Sequence, residues 1–337
     1  MTKRNAAKRK MMRRRKLRRM IDNFMTVCAV VVLLVCATYL IHGAVMHNRG
    51  AQMTDEIRGM YHNMYAASAE NLSSPNATIA PTAAESTAAA ETESADPSLP
   101  TEKPLIPVNL NEVYLSSIVD QVLVPAEPVL QPQFEQLYER NNDLVGWIHV
   151  NDDIDYPIVW RDEDNDFYMN HDYDGNFSEA GWIFLDKRNE PDMFDDQMLI
   201  YGHNMRRGTM FGELDLYREL DYVQQHPIIE VQSIYDVEPR KYVIVSLFDA
   251  SMNKSHGTYI KITNFNFETP EAKQDYIDAM CGRSDFNLPF DANSDDQLIT
   301  LVTCSYTYPN GRFLVVAREL RDGETVEMVQ EAFDALN

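Results

Sequence analysis

Three residues, far apart in the chain, have the types that acyl transfer needs. His203 sits in Leu199-Ile-Tyr-Gly-His-Asn-Met205, just past an extended stretch, where Gly202 and Asn204 leave little bulk around its ring. Cys304 ends the extended run Thr300-Leu-Val-Thr-Cys304, and Arg312 opens the next run eight residues later. A cysteine attacks as its thiolate, so it needs a base or cation beside it. A histidine supplies that base and can later protonate a leaving amine. An arginine near the attacked carbonyl can hold the oxyanion. Spacing alone leaves the ordinary alternative open, a structural histidine and a buried cysteine.

Other clusters are weaker. Asn170, Asp172, Asp174 and Gly175 open like a calcium loop, but position twelve is Gly181, where a bidentate glutamate is required. They read as an acidic surface loop. Asp162, Glu163, Asp164 and Asp166 read as a solvated turn, with recruitment of a cationic ligand as the sharper alternative. No Cys-x-x-Cys pair exists, which argues against structural zinc, and nothing implies a cofactor. Cys281 and Cys304 could form a disulfide, or one of them could be a working thiol.

The elements that must position the three residues read as short strands. They cover 145–150, 154–160, 181–185, 198–201, 228–234, 241–248, 297–303 and 312–317, with turn residues between. Helical patterns precede them at 111–122 and 132–141 and interrupt them at 209–217 and 270–281. The expected class is mostly β with added helices, a closed or nearly closed barrel of about eight strands over 110–325. Residues at strand ends then project onto the barrel rim, where a site is open to substrate. Residues 326–337 read as a C-terminal tail.

The charge is unevenly spread. The formal net of −22 combines eleven Lys and Arg within residues 1–21 with nineteen bases against 52 acids in the remainder, a net of −33. Such an acidic chain is no nucleic-acid binder, since phosphate affinity comes from Lys and Arg. After the basic tail, Phe24–Val45 holds no Asp, Glu, Lys or Arg. As a helix it spans about 33 Å, enough to cross a bilayer core. The expected arrangement is a cytoplasmic tail at 1–21, an uncleaved single-pass anchor at 22–46 and everything later outside the cytoplasm. Residues 47–109 read as a mostly disordered stalk. Within it, 66–108 lacks any aromatic residue and is rich in Ala, Ser, Thr, Glu and Pro.

The motifs resemble those of the sortases, class B most closely. Ile200-Tyr-Gly-His-Asn-Met205 with Gly208-Thr-Met-Phe211, Thr300-Leu-Val-Thr-Cys304, Arg312-Phe-Leu-Val-Val-Ala317 and Ala180-Gly-Trp-Ile-Phe-Leu-Asp-Lys-Arg-Asn189 carry the likeness, which covers roughly 131–320. The resemblance implies a sortase-like barrel with N-terminal helices and a helix before the Cys strand. It implies a cysteine transpeptidase of a Gram-positive-type bacterium. Cys304 would attack the Thr carbonyl of a C-terminal sorting signal on a surface protein. The thioacyl enzyme would pass to an amine of peptidoglycan or its precursor. His203 would be the acid and base, Arg312 the clamp, and Cys304 and His203 mostly neutral at rest. Tyr201, Asn204 and Thr303, within the same motifs, are candidates for substrate contact. Tyr306 stands where some class B members carry an acid, and no role for an acid is carried over.

Three other readings compete with this one. Pilus assembly on a pilin Lys amine would use the same chemistry; the lid and second span common in class C are missing from this sequence. A papain-like hydrolase places its Cys before its His, the reverse of the order here. A non-catalytic acidic adhesin leaves the coincidence of His, Cys and Arg at three strand ends unexplained.

Overall fold

The computed structural model describes residues 2–73, 128–206 and 208–336. Among them eight strands close into one barrel: β1 (Leu144–His149), β2 (Asp155–Val159), β3 (Phe184–Leu185), β4 (Gln197–Tyr201), β5 (Ile228–Ser233), β6 (Arg240–Ser251), β7 (Leu298–Ser305) and β8 (Gly311–Glu319). Their order around the barrel is β1-β2-β3-β4-β7-β8-β6-β5. Neighbours are antiparallel except β2 with β3 and β4 with β7.

The β4–β7 pair matters most for the site. Its two strands run the same way, in register from Gln197 against Leu298 to Tyr201 against Val302. The residues just past those ends, His203 and Cys304, therefore emerge at the same rim although 101 positions separate them. From Leu298 to Thr303 every residue of β7 is buried, so the run Leu-Ile-Thr-Leu-Val-Thr shows no alternation. That is the signature of a strand covered on both faces. The outer cover is α4 (Pro270–Cys281), whose N-cap Thr269 accepts from the Ala272 N–H. It buries Tyr276, Ile277 and Met280. The Tyr276 hydroxyl reaches Gln197 of β4, and Ser246 of β6 donates to the Met280 carbonyl, so the helix bridges the outside of the β4-β7-β8-β6 arc.

The helix expected at 111–122 lies outside the described residues. The pattern at 132–141 folds as a 3-10 turn, Pro132–Phe134, running into α2 (Glu135–Arg140).

The N-terminal helix α1 (Thr2–Ser73) continues well past the apolar run and through the first part of the expected stalk. Met53, Ile57 and Tyr61 recur every four residues and are buried. Tyr61 stacks on Trp147 of β1 at 4.0 Å between ring centroids, and its hydroxyl donates to Gln232 of β5 at 2.6 Å. Arg58 donates to the carbonyls of Asp153 and Asp155. The stalk reading thus fails for 47–73, because the apolar stripe at helical spacing has the barrel wall to pack on. Residues 74–127 lie outside the described part.

The expected C-terminal tail is likewise an element, α5 (Val326–Asp334), capped by Thr325, with Val329 and Phe333 buried. It packs beside α3 (Leu220–Gln225), whose Gln224 side chain donates to the Phe333 and Leu336 carbonyls. The helix expected at 209–217 shifts and tightens into a 3-10 turn, Gly212–Arg218. Residues 203–206 and 208–211 instead belong to a loop folded back on itself, with Phe211 N–H donating to the His203 carbonyl. Gly208 there has φ +82°, and a Cβ on Gly212 would lie 2.2 Å from the Met205 carbonyl oxygen.

Candidate active site

Cys304 lies in β7 one residue from its end, directly opposite Arg312 of β8. His203 follows β4 across Gly202, where a Cβ would meet the Phe211 ring at 2.7 Å. Only glycine lets that ring close over the turn that aims the histidine. The imidazole and the thiol face each other closely enough for each to shift the other's proton affinity, and all three side chains are half-buried.

The histidine's other partner fixes its tautomer. Nε2 lies 2.7 Å from the Met169 carbonyl oxygen, which can only accept, so Nε2 carries the proton. In the neutral ring Nδ1 then holds the lone pair, and it is the nitrogen left to serve the thiol. Met169 closes the 3-10 turn Phe167–Met169. That turn is launched by Asp164, whose Oδ1 accepts from the Asp166 and Phe167 N–H groups. Asp164 of the acidic cluster therefore has a structural task. Gly181, with φ +59°, is packed on the same turn.

The imidazole hydrogen bond, and after it the charge of Arg312, hold the Cys304 thiol below its ordinary value against the opposing effect of desolvation. His203 is pushed up, first by Cys304 and next in the same sense by the Met169 carbonyl, while burial and Arg312 oppose. These contacts favour an ion pair. The acidic balance of the whole chain acts the other way, but distant charges are screened over about 8–10 Å. Arg312 uses Nη1 on its own neighbours, the Gly311 carbonyl at 2.8 Å and Asn310 at 3.5 Å. It makes no ion pair among the described residues, which leaves the rest of its planar fork for a substrate oxygen.

A Sortase family model matches residues 151–320, half of the chain and all the parts just described. The chain is a sortase. Its relatives are of the B class: it is 32% identical over 194 residues to sortase B of Listeria monocytogenes, covering 55% of this chain and 73% of that protein. The Staphylococcus aureus sortase B–substrate complex superposes with a TM-score of 0.51 at 26% identity, over 64% of this chain and 96% of that one. A sortase B complexed with triglycine matches with the same score and identity, over 64% and 97%. Members of the family are cysteine transpeptidases, and so is this enzyme.

The three secondary candidates meet different fates in this sortase. Thr303 is buried, its hydroxyl donating to the Gly202 carbonyl at 2.8 Å. It ties the Cys strand to the His turn and is closed to substrate, a correction that follows from strand alternation: Cys304 faces the cleft, so its neighbour faces inward. Asn204 donates from Nδ2 to the Cys304 carbonyl at 3.1 Å and to Asp215 at 2.8 Å. Tyr201 stacks on Phe184, and its hydroxyl donates to Asp186.

Sequence reasoning passed over the groups behind this front. Arg218 grips Asp249 with both terminal nitrogens, at 2.6 and 3.1 Å, and Asp215 through Nε at 3.1 Å. Asp249 also accepts from Thr307, three residues past Cys304. A chain of polar contacts thus runs from Asn204 through Asp215, Arg218 and Asp249 to Thr307. It fastens the His loop to the Cys strand beyond the point where their ladder ends. Asp186, fully buried, binds Arg188 through two bonds and accepts from Asn165 and Tyr201. No motif in the sequence flags Arg218 or Asp249; only the fold brings them together. All four cysteines are free. Cys281 is half-buried on α4, and burial first, then Asp278, pushes its thiol up to about 11.

Proposed function

We propose that Cys304, His203 and Arg312 carry a transpeptidation in which a sorting signal is cut after threonine and its acyl part handed to an amine. His203 Nδ1 takes the Cys304 proton, and the sulfur attacks the threonine carbonyl. Arg312 neutralises the oxyanion. Collapse breaks the peptide C–N bond, and the imidazolium gives its proton to the departing amine. The thioester that remains is attacked by a neutral acceptor amine, whose extra proton passes to His203 as the C–S bond breaks. The observation that carries this reading is the pairing of Cys304 with an Arg312 that no described carboxylate occupies, next to an imidazole whose tautomer leaves Nδ1 basic. A substrate and a triglycine in two related sortase B structures support the two half-reactions. The acceptor class is an amine of peptidoglycan or its precursor.

The apolar helix within 24–68 is long enough to cross a membrane, and the basic residues ahead of it support a cytoplasmic N-terminus. The barrel then works outside, held by a helix whose residue Met53, about eight residues, or about 12 Å, past the apolar run, is already buried against the domain. The test uses the full chain in detergent and a panel of threonine-containing peptides. Intact-mass analysis should show one peptide's N-terminal part bound to Cys304, removable by hydroxylamine. A folded enzyme that cuts peptides without such an adduct sinks the covalent mechanism.

A further inference from the structure

Tyr306 is 89% exposed, the most exposed large apolar side chain among the described residues. It is not loosely held. Its neighbours on both sides are fastened: Ser305 to Thr307 side chain to side chain at 3.1 Å, Thr307 N–H to Ser305 at 3.2 Å, and Thr307 to Asp249 at 3.0 Å. Arg218 reaches Ser305 as well. The backbone therefore presents this ring to solvent from a fixed position. Strand β7 ends at Ser305, so Tyr306 is the first residue beyond it, at the rim where Cys304 emerges and two positions, about 7 Å, further along the chain.

We propose that Tyr306 is the platform that receives the acceptor, as a protonated primary amine, before transfer. This rests on the transpeptidase reading above and names the acceptor's contact on the same site. Two features favour a cation over the sorting peptide. The face of a tyrosine ring attracts an ammonium. The ion-pair group that pins the ring's backbone, Arg218 with Asp215 and Asp249, carries one more negative charge than positive. The positive charge of the site lies instead at Arg312, opposite Cys304, where an oxyanion is served. The held ammonium releases one proton to solvent, attacks the thioester as the neutral amine and passes a second proton to His203.

The experiment compares the full chain with Tyr306→Ala and Tyr306→Phe, using the best-cleaved peptide of the panel as donor. Triglycine and cadaverine are cationic acceptors. Hydroxylamine is a small acceptor that is neutral at pH 7. Single-turnover acylation without amine is measured separately. For Tyr306→Ala we expect the Michaelis constants of triglycine and cadaverine to rise roughly two- to thirtyfold, the range that a cation over an aromatic face spans. Acylation and capture by hydroxylamine should stay within about twofold, and Tyr306→Phe, which keeps the ring, should match the parent. Unchanged amine constants in Tyr306→Ala overturn the inference, as does a rise confined to the peptide donor, which would make the ring a reader of the sorting signal. If the parent enzyme forms no thioacyl adduct, the transpeptidase reading fails first and takes this inference with it.

Discussion

Gly181→Ala tests whether a backbone carbonyl governs the catalytic histidine. Its Cβ would lie 2.4 Å from the Tyr168 carbonyl oxygen, 2.9 Å from the Met169 carbonyl oxygen and 3.0 Å from the Met169 carbonyl carbon. Backbone atoms cannot rotate away, so the turn must move by up to about 1 Å to reach ordinary contact. The φ of +59° adds about 1–2 kcal/mol of strain for a residue bearing a side chain. The Nε2 contact with Met169 is now 2.7 Å. If the turn moves as a unit away from His203, a shift of about 1 Å stretches the contact to about 3.7 Å, beyond hydrogen-bonding range. A hydrogen bond to a charged group contributes about 1.5–3 kcal/mol, so the imidazolium of the ion pair loses that support and the rate should fall by about ten- to a hundredfold. The sign follows from the cause: the carbonyl holds His203 up, so without it the ring sheds its proton at lower pH. In the pH profile of kcat/KM for peptide cleavage, the limb that follows His203 should therefore move to lower pH. A folded Gly181→Ala enzyme with an unshifted pH profile and near-parent rate would refute the role given to Met169.

Arg312→Lys keeps the charge but loses the planar fork, and should cost more than about tenfold in kcat/KM for peptide cleavage; equal activity would mean that charge alone suffices. Asp164→Ala removes the cap of the turn that carries Met169 and should lower cleavage severalfold, whereas neutralising Asp162, Glu163 and Asp166 together should leave both cleavage and its salt dependence unchanged. Comparison of the salt profiles of these two variants separates a structural turn from an acceptor-recruiting patch. Under native conditions Cys304 should react with iodoacetamide far faster than Cys281, whose thiol stays protonated up to about pH 11; peptide mapping that finds Cys281 modified first would overturn the assignment of the working thiol.

The sequence carried the barrel and the convergence of His203, Cys304 and Arg312 because both leave local signals. Runs such as Lys241–Phe248 and Leu298–Thr303 are β-branched and bounded by turns, and seven of the eight strands appear within about three residues of where the pattern puts them. The exception is β3, which pairs over only Phe184 and Leu185 of the five residues expected to be extended. That His203, Cys304 and Arg312 meet at one rim followed from their places at strand ends; the roles given to them came from the resemblance to the sortases. What stayed hidden depends on tertiary partners. Met53, Ile57 and Tyr61 form a stripe too short to mark a helix docking site until Trp147 supplies the surface. Val329 and Phe333 lie in what read as a C-terminal tail. Met169 acts through a carbonyl, which no side-chain motif can announce. Arg218 and Asp215 share the turn Gly212–Arg218 while Asp249 lies on β6, and Asn204 is bonded to Asp215.

The central claim is that Cys304 becomes acylated by the sorting peptide and His203 and Arg312 serve that step. The most direct measurement is intact-mass analysis of the full chain and its Cys304→Ala variant after incubation with the threonine peptide panel, with thermal melting of both as the control for folding. The account predicts a single acyl adduct on the parent enzyme, mapped to Cys304 and transferred to triglycine on its addition. It predicts neither adduct nor cleavage for a Cys304→Ala protein that melts within a few degrees of the parent. Continued cleavage by the folded variant, or an adduct mapped to Cys281, would contradict it.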